Sequence, residues 1–472
     1  MRVLFLCSEY EGLIKTGGLA DACRGLAQAL VAAGHQLTVV LPCYAPLYPL
    51  RSKAKASSSV YFDLAGRHFG CAAHQLEHEG VEVVLIEHHE LFNRERPYDD
   101  GEHAYSDNPL RFAFYAKAAL EWALKSATPF DLIHGHDWQS AAAAYYLKHQ
   151  YRHSALSTLT FVFSIHNGAY QQQCAAHWRR ELDIEPADSS ELNFLKCALQ
   201  YADKLNTVSA GYRDELMTEP SGEGLAALYQ QRAADFSGIL NGCDYLSWNP
   251  ASDKYLAHHF DAGSLTGKRL GKEALCTELT LTDHKAPLLV AVSRLTGQKG
   301  YDYLIPALGR WLGDHRANVV IMGTGESRYC TDLNALQQQY PDNFRFVHGF
   351  SEAWAHKLEA AGDFFLMPSL FEPCGLNQLY SLRYGTVPVV RLTGGLKDTV
   401  KPWPERGATG IGFTEPTEQA VYAALSDALT LYNKAASYKR IQQKGMQQNF
   451  SWQRAADQYL ALYQAALNAV AH

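Results

Sequence analysis

Three sets of residues in this 472-residue chain have types and spacings that could do chemistry. The first is a lone carboxylate, Glu372, in Ser369-Leu370-Phe371-Glu372-Pro373-Cys374-Gly375-Leu376, with Thr393-Gly394-Gly395-Leu396 further on. The second is cationic and glycine-rich: Lys15-Thr16-Gly17-Gly18, and Arg294 with Lys299-Gly300. Glycine turns before a helix let backbone N–H groups approach a phosphate, with the positive end of the helix dipole behind them. Two cations on one short loop repel unless an anion or carboxylates lie between them. A diphosphate therefore explains Arg294 and Lys299 better than a solvated loop with incidental charge. Gly323-Thr324-Gly325 is too short a signal to separate phosphate binding from a simple turn. The third set is Asp137, in His134-Gly135-His136-Asp137-Trp138, and His166-Asn167. Asp137 reads equally as a helix N-cap and as a functional carboxylate. His134 and His136 stand two apart, as in some metal sites, but no third ligand lies near, which favours a structural or acceptor-contacting role. No candidate has the adjacent base expected of an activated nucleophile.

Each of these follows a short apolar run. Val3–Cys7, Gln36–Leu41, Asp131–His134, Thr160–Ile165 and Leu205–Ser209 read as strands in the first half. In the second half the strands are Leu288–Val292, Val319–Met322, Phe344–Val347, Phe364–Met367 and Val387–Val390. Unalternating runs suit strands buried on both faces of a parallel sheet. Helical patterns between them, such as Leu19, Ala22, Cys23, Leu26 and Leu30, predict two doubly wound α/β domains. Open sheets of this kind bind ligands at the carboxyl ends of their strands. Residues 44–60 and 93–109 read as loops, and 251–286 as polar and helical. Ile239–Asp244 with Trp248-Asn249-Pro250 reads as the exit from the first domain. From Gln419 to His472 the pattern is helical, ending in an amphipathic helix that carries Trp452, Ala455, Ala456, Tyr459 and Tyr463.

Composition restricts the classes. A hydrophobic content of 47% and a charged content of 19% describe a soluble globular chain. The net charge of −7 speaks against nucleic-acid and anionic-membrane partners. The ten cysteines form no C-x₂-C pair, and no apolar run reaches transmembrane length. A reduced, cytoplasmic protein is expected.

The motifs, taken in order along the chain, resemble those of the bacterial glycogen synthase and plant starch synthase family of retaining glycosyltransferases. The resemblance rests on Lys15-Thr16-Gly17-Gly18, His136-Asp137-Trp138 and Ile165-His166-Asn167 with Ala169-Tyr170-Gln171. It continues through Arg294 with Lys299-Gly300, Glu372 to Leu376, and Gly394-Gly395-Leu396. It implies the GT-B fold, two Rossmann-like domains facing across a cleft, with the last helix crossing back to the first domain. The expected division is residues 1–242, 243–452 and a returning helix at 453–472.

The implied reaction is transfer of α-glucosyl from a nucleotide-glucose, taken as ADP-glucose, to the non-reducing 4-hydroxyl of an α-1,4-glucan, with retention. The same resemblance implies the roles. Lys15, Gly17, Gly18, Arg294 and Lys299 would hold the diphosphate. Glu372 and the stretch Cys374, Gly375 and Leu376, with Thr393 and Gly394, would bind the donor, and His166 and Asn167 its glucosyl hydroxyls. Asp137 would lie near the reacting carbon or the acceptor. Phe350, where the family often has tyrosine, would stack on the base. Neither metal nor cofactor is implied; the partners are the nucleotide-sugar and the glucan, and oligomeric state is not indicated. The chain departs from the family at Ala22–Gly25, Gly168, Cys243 and Leu370, and Gly168 suggests a looser backbone after His166. The alternatives are a synthase using UDP-glucose, a catalytically weak glucan-binding homologue, and a phosphorylase-like enzyme, for which no pyridoxal-phosphate lysine motif is evident.

Overall fold

The structure is a computed structural model that describes residues 1–185 and 191–470. The described chain forms two compact units: Met1–Gly242 with the C-terminal helix Trp452–Val470, and Cys243–Ser451.

In the first unit the strands are β1 (Arg2–Leu6), β2 (Gln36–Pro42), β3 (Ala56–Leu64), β4 (Arg67–His78), β5 (Val81–Glu87), β6 (Leu132–His136) and β7 (Thr160–Ile165). A short antiparallel pair, β8 (Gln173–Cys174) and β9 (Leu192–Asn193), precedes β10 (Lys204–Thr207) and β11 (Phe236–Gly238). Nine of these make one sheet in the order β11-β10-β7-β6-β1-β2-β5-β4-β3. It is parallel from β11 to β5; β4 and β3 are antiparallel additions. The central strands are apolar throughout because helices cover both faces; Leu4, Phe5 and Leu6 have no exposed surface. From β1 the chain winds outward through β2 to β5, then restarts at β6 on the other side of β1. The carboxyl ends of β1 and β6 therefore flank the topological switch point, the place where open sheets of this kind bind ligands. The helix Trp452–Val470 buries Trp452, Ala455, Ala456, Tyr459 and Tyr463 against this unit, packing on the helix Gly18–Ala32 and on β7. Residues 471–472 of the expected helical stretch lie outside the described residues.

The second unit holds β12 (Leu288–Val292), β13 (Asn318–Gly323), β14 (Phe344–His348), β15 (Phe364–Met367), β16 (Val387–Arg391) and β17 (Ile411–Phe413). Their order is β14-β13-β12-β15-β16-β17, all parallel. Its switch point lies between β12 and β15. Both sheets are of the doubly wound, Rossmann-like kind.

Several expectations are corrected. Residues 56–60, read as loop, are in β3, where Ser57, Ser58 and Ser59 are exposed while Val60, Phe62 and Leu64 further along are buried. Before it, Ala45–Lys53 is a 3₁₀ helix. Within 251–286 only Thr266–Glu278 is helical. The edge strands β11 and β17, three residues each, lie beyond the last strands expected in each half and are too short to show a pattern. Among the described residues no helix is long and apolar enough to cross a membrane.

Candidate functional site

In the second unit the switch point places the ends of β12 and β15 side by side. Ser293 and Arg294 follow β12, and Lys299 closes the short 3₁₀ turn Gly297–Lys299. Gly300, with φ of 80°, then starts the helix Tyr301–Asp314; this left-handed conformation favours glycine. Glu372 follows β15. The two loops are strapped together: Leu370 N–H donates to the Gln298 carbonyl at 2.8 Å, and Gln298 Nε2 donates to the Phe371 carbonyl at 3.3 Å. The Lys299 ammonium reaches Glu372 Oε2 at 2.6 Å, and Ser369 Oγ donates to the same oxygen at 2.9 Å. Glu372 thus meets one of the loop's two cations, Lys299.

These residues line a cavity of about 190 Å³ that includes Arg294, Lys299, Ser369, Glu372, Gly375 and Leu376. Asn377, which opens the helix Asn377–Arg383, is also in the wall and anchors it by donating from Nδ2 to the Val292 carbonyl at 2.7 Å. Arg294 is exposed and, among the described residues, has no carboxylate partner. Cys374, Thr393 and Gly394 stand behind this wall rather than in it. Cys374 is buried, and its carbonyl accepts from Gln378 Nε2 at 2.9 Å. The Gly395 N–H donates to the Glu372 carbonyl at 3.1 Å. A side chain on Gly394 or Gly395 would strike the backbone of Glu372 or Cys374, so the glycine pair lets the two turns pack together. Phe350 lies apart, past the end of β14, with 73% of its surface exposed.

In the first unit the glycine turn is more acidic than its sequence suggests. The Lys15 ammonium sits between Glu11, at 2.6 Å, and Asp21, at 2.8 Å. Burial pushes the Asp21 carboxyl up to about 6, with Lys15 working against it. Two carboxylates therefore accompany the cation of this turn. Gly17 and Gly18 are exposed and have open space where a side chain would be. The N–H groups of Thr16 and Gly17, however, donate to the Glu9 carboxylate at 2.5 and 3.0 Å.

Asp137 lies at the end of β6 with φ of 55°. It does not cap its own helix, Asp137–His149, whose N-cap residue is His136. Its Oδ1 instead accepts the N–H groups of His166, at 2.7 Å, and Asn167, at 3.4 Å, beyond β7. Burial pushes this carboxyl up to about 7, against the pull of those two amides, and Glu9 adds to the rise. Burial also pushes the His166 imidazole down to about 3. The neutral His166 Nε2 lies 2.9 Å from His136 Nδ1. Asn167 uses Oδ1 to accept from Ala169 N–H at 3.1 Å. His134 is structural, its ring nitrogens meeting Tyr463 Oη at 2.7 Å and Ser164 Oγ at 2.8 Å. No group of three His, Cys, Asp or Glu among the described residues could hold a metal ion. Gly168 is not loose: its N–H donates to Tyr212 Oη at 3.0 Å, and a side chain there would press on Leu216 at 2.7 Å.

Sequence reading missed Ser369, Gln298, Asn377 and Glu9. Only Ser369 left a local trace, a hydroxyl three residues before the carboxylate it contacts.

The chain is similar to known proteins along its whole length. The profile of the starch synthase catalytic domain matches residues 2–231, and that of glycosyl transferases group 1 matches residues 279–447. The glycogen synthase of Aeromonas hydrophila is 40% identical, covering 99% of this chain and 98% of its own. That of Vibrio atlanticus is also 40% identical, covering 99% of each. The catalytic domain of starch synthase IV from Arabidopsis thaliana, solved bound to ADP and acarbose, superposes with a TM-score of 0.88 at 31% identity over 99% of both chains. Sucrose-phosphate synthase from Thermosynechococcus elongatus, at 16% identity and a TM-score of 0.63, shares the fold.

Proposed function

The chain belongs to the glycogen and starch synthase family of glycosyltransferases, and from that premise we propose that its donor is ADP-glucose and its acceptor the non-reducing 4-hydroxyl of an α-1,4-glucan. That it is a glycosyltransferase of the GT-B fold, of glycogen or starch synthase type, follows from relatives matched along their whole length. The observation that carries the finer reading is the cavity at the second unit's switch point, where Arg294, Lys299 and Glu372 converge beside the half-buried turn at Gly375 and Leu376. A group of that make-up suits a sugar linked to a diphosphate: cations for the phosphate oxygens, a fixed carboxylate for sugar hydroxyls. The ADP held by the similar starch synthase IV supports adenine as the base.

In this reading Arg294 and Lys299 bind the diphosphate and stabilise the charge that develops as ADP leaves. Lys15 and Gly18 contribute on the phosphate side, Gly17 by leaving open space where a side chain would be, and Phe350 stacks on the base. Glu372 orients the glucosyl group. Its Oε2 is held by Lys299 and Ser369, which makes it a hydrogen-bond acceptor rather than an unencumbered nucleophile. Gly375 and Leu376 lie against the sugar, while Cys374, Thr393 and Gly394 hold that wall in place. His166 and Asn167 face the glucosyl hydroxyls, and Asp137 lies near the acceptor or the reacting carbon. Attack from the face the leaving phosphate occupies, without a covalent glucosyl-enzyme, accounts for retention. The reaction takes place in the cytoplasm.

The test is to incubate the protein with glycogen and either ADP-glucose or UDP-glucose and to measure nucleotide release and glucose incorporation. Faster release of ADP, with glucose entering the glucan, supports the reading. Preference for UDP-glucose moves it to the alternative donor, and no release with either assigns a glucan-binding role.

A further inference from the structure

The connection from β1 to the helix Gly18–Ala32 folds back on one buried carboxylate. Glu9 is 3% exposed. Its Oε2 accepts the N–H groups of Thr16 and Gly17, and its Oε1 accepts Thr16 Oγ1–H at 2.6 Å and Tyr98 Oη–H at 2.7 Å. Tyr98 comes from the irregular segment before the helix Asn108–Leu124, and its hydroxyl also lies 2.6 Å from Ser8 Oγ. That segment is itself anchored: fully buried Arg111 donates to the Pro97 carbonyl at 2.8 Å, and Asn108 Nδ2 to the Tyr98 carbonyl at 2.9 Å.

Among the described residues no cation pairs with Glu9. A carboxylate buried without a cation is costly unless its oxygens are hydrogen-bonded, and here four donors converge on it. They are not the donors of a folding scaffold at large. Two are the amides that a glycine-rich turn would offer to an anion, and the third is a hydroxyl of the same turn.

We propose that Glu9 is a positioning residue for glucosyl transfer. Its carboxylate shapes the Lys15–Gly18 turn from behind and ties it through Tyr98 to the segment that carries Pro97. Because Glu9 takes the amides of Thr16 and Gly17, phosphate recognition by this turn falls to Lys15 and to the first amides of the helix. This rests on the assignment of the turn to the donor's phosphates.

The test compares Glu9→Gln, Tyr98→Phe and Lys15→Ala by ADP titration calorimetry and by steady-state kinetics with ADP-glucose and glycogen. Glutamine has one acceptor oxygen where four donors need two, so Glu9→Gln raises the ADP Kd and the donor KM by about tenfold, the worth of one charged hydrogen bond. The glycogen KM stays within about twofold, because the hydrogen bonds lost belong to the phosphate-side turn. Tyr98→Phe, which removes a single neutral donor, shifts the same constants in the same direction and less. A merely structural role would lower thermal stability and the active fraction while leaving Kd and KM of the folded protein alone. If Lys15→Ala weakens ADP binding and Glu9→Gln does not, the proposal is overturned. It is also overturned if Glu9→Gln raises donor and glycogen KM equally. If neither Lys15→Ala nor Glu9→Gln changes ADP binding, the phosphate assignment of the turn fails, and the proposal with it. Should Glu9→Gln not fold, Tyr98→Phe decides: an unchanged ADP Kd overturns the proposal.

Discussion

Lys299 and Glu372, 73 residues apart in the chain, meet at 2.6 Å with 19% and 9% of their side chains exposed. The strand order brings them together, since their loops leave β12 and β15, neighbours at the switch point. Each serves the other. The ammonium keeps the carboxylate tolerable under burial, and the carboxylate fixes where the ammonium is held.

Glu372→Gln tests that dependence. The change is nearly isosteric, yet it removes the charged partner of Lys299 and a charged acceptor worth about 1.5–3 kcal/mol. Turnover is expected to fall while circular dichroism shows a folded protein. Wild-type turnover in this variant would take Glu372 out of the site.

Arg294→Ala and Lys299→Ala should part company in stability. Arg294 is exposed and has no carboxylate partner among the described residues, whereas Lys299→Ala leaves Glu372 buried beside Ser369 alone. Both are expected to lower turnover by roughly 10²–10³, the cost of one preorganised donor at a site of developing charge. Only Lys299→Ala should lower the melting temperature. Equal melting temperatures for the two would show that the ion pair contributes nothing to folding.

Ten of the strands were legible in sequence because burial on both faces leaves an uninterrupted apolar run, whereas β3, β4 and β5 were not read as strands. Thr160–Ile165 and Phe364–Met367 have the same bounds in sequence and structure. The placement of Asp137, Arg294 and Glu372 at strand ends was legible for the same reason. Which ends adjoin was not, because strand order is set by packing across the sheet rather than by spacing. The partners of Lys15 lay in plain view at Glu11 and Asp21. Reading the turn for its glycines and cation hid the effect of folding it, which brings both carboxylates onto one ammonium. Glu9 gave no signal because what marks it is a set of backbone and hydroxyl donors.

Phe350→Ala should weaken ADP far more than glycogen. The ring is 73% exposed past β14, so its removal leaves no cavity in a core, and the loss is that of stacking. Stacking on a base is worth about 1–3 kcal/mol, which predicts a rise of roughly 5- to 150-fold in the ADP Kd. Equal loss of both ligands, measured by calorimetry with ADP and with a maltooligosaccharide, would refute stacking.

Glucosyl transfer should survive EDTA. Glu11 and Asp21, the carboxylates nearest the glycine turn's cation, are already engaged by the Lys15 ammonium at 2.6 and 2.8 Å. Magnesium binds through one or two such carboxylates and would have to displace that ammonium. The expected rate with EDTA matches that without it. Loss of activity restored by Mg²⁺ would overturn this account of how the diphosphate is neutralised.

Asp137 sets the last expectation, a pH dependence in both stability and rate. Burial raises its carboxyl from 3.8 to about 7 in the folded protein. Below about pH 4 the group is protonated in both states and contributes no difference. Between pH 4 and 7 the unfolded chain has released this proton and the folded one retains it. Stability therefore falls as pH rises, by up to ~1.4 kcal/mol per pH unit from this group, and the penalty is complete above 7. Asp137→Asn keeps the Oδ1 that accepts from His166 and Asn167 and stays neutral at every pH. The variant should thus melt at the wild-type temperature near pH 4 and above it near pH 8. If the ionised carboxylate is the form used in transfer, wild-type turnover rises through about pH 7, while the variant is slow and lacks that limb. Calorimetric melting of the two proteins at pH 4, 6 and 8 measures the first effect, and a pH–rate profile measures the second. A melting difference that does not change with pH would show that Asp137 titrates in the ordinary carboxylate range, and the raised value would have to be abandoned.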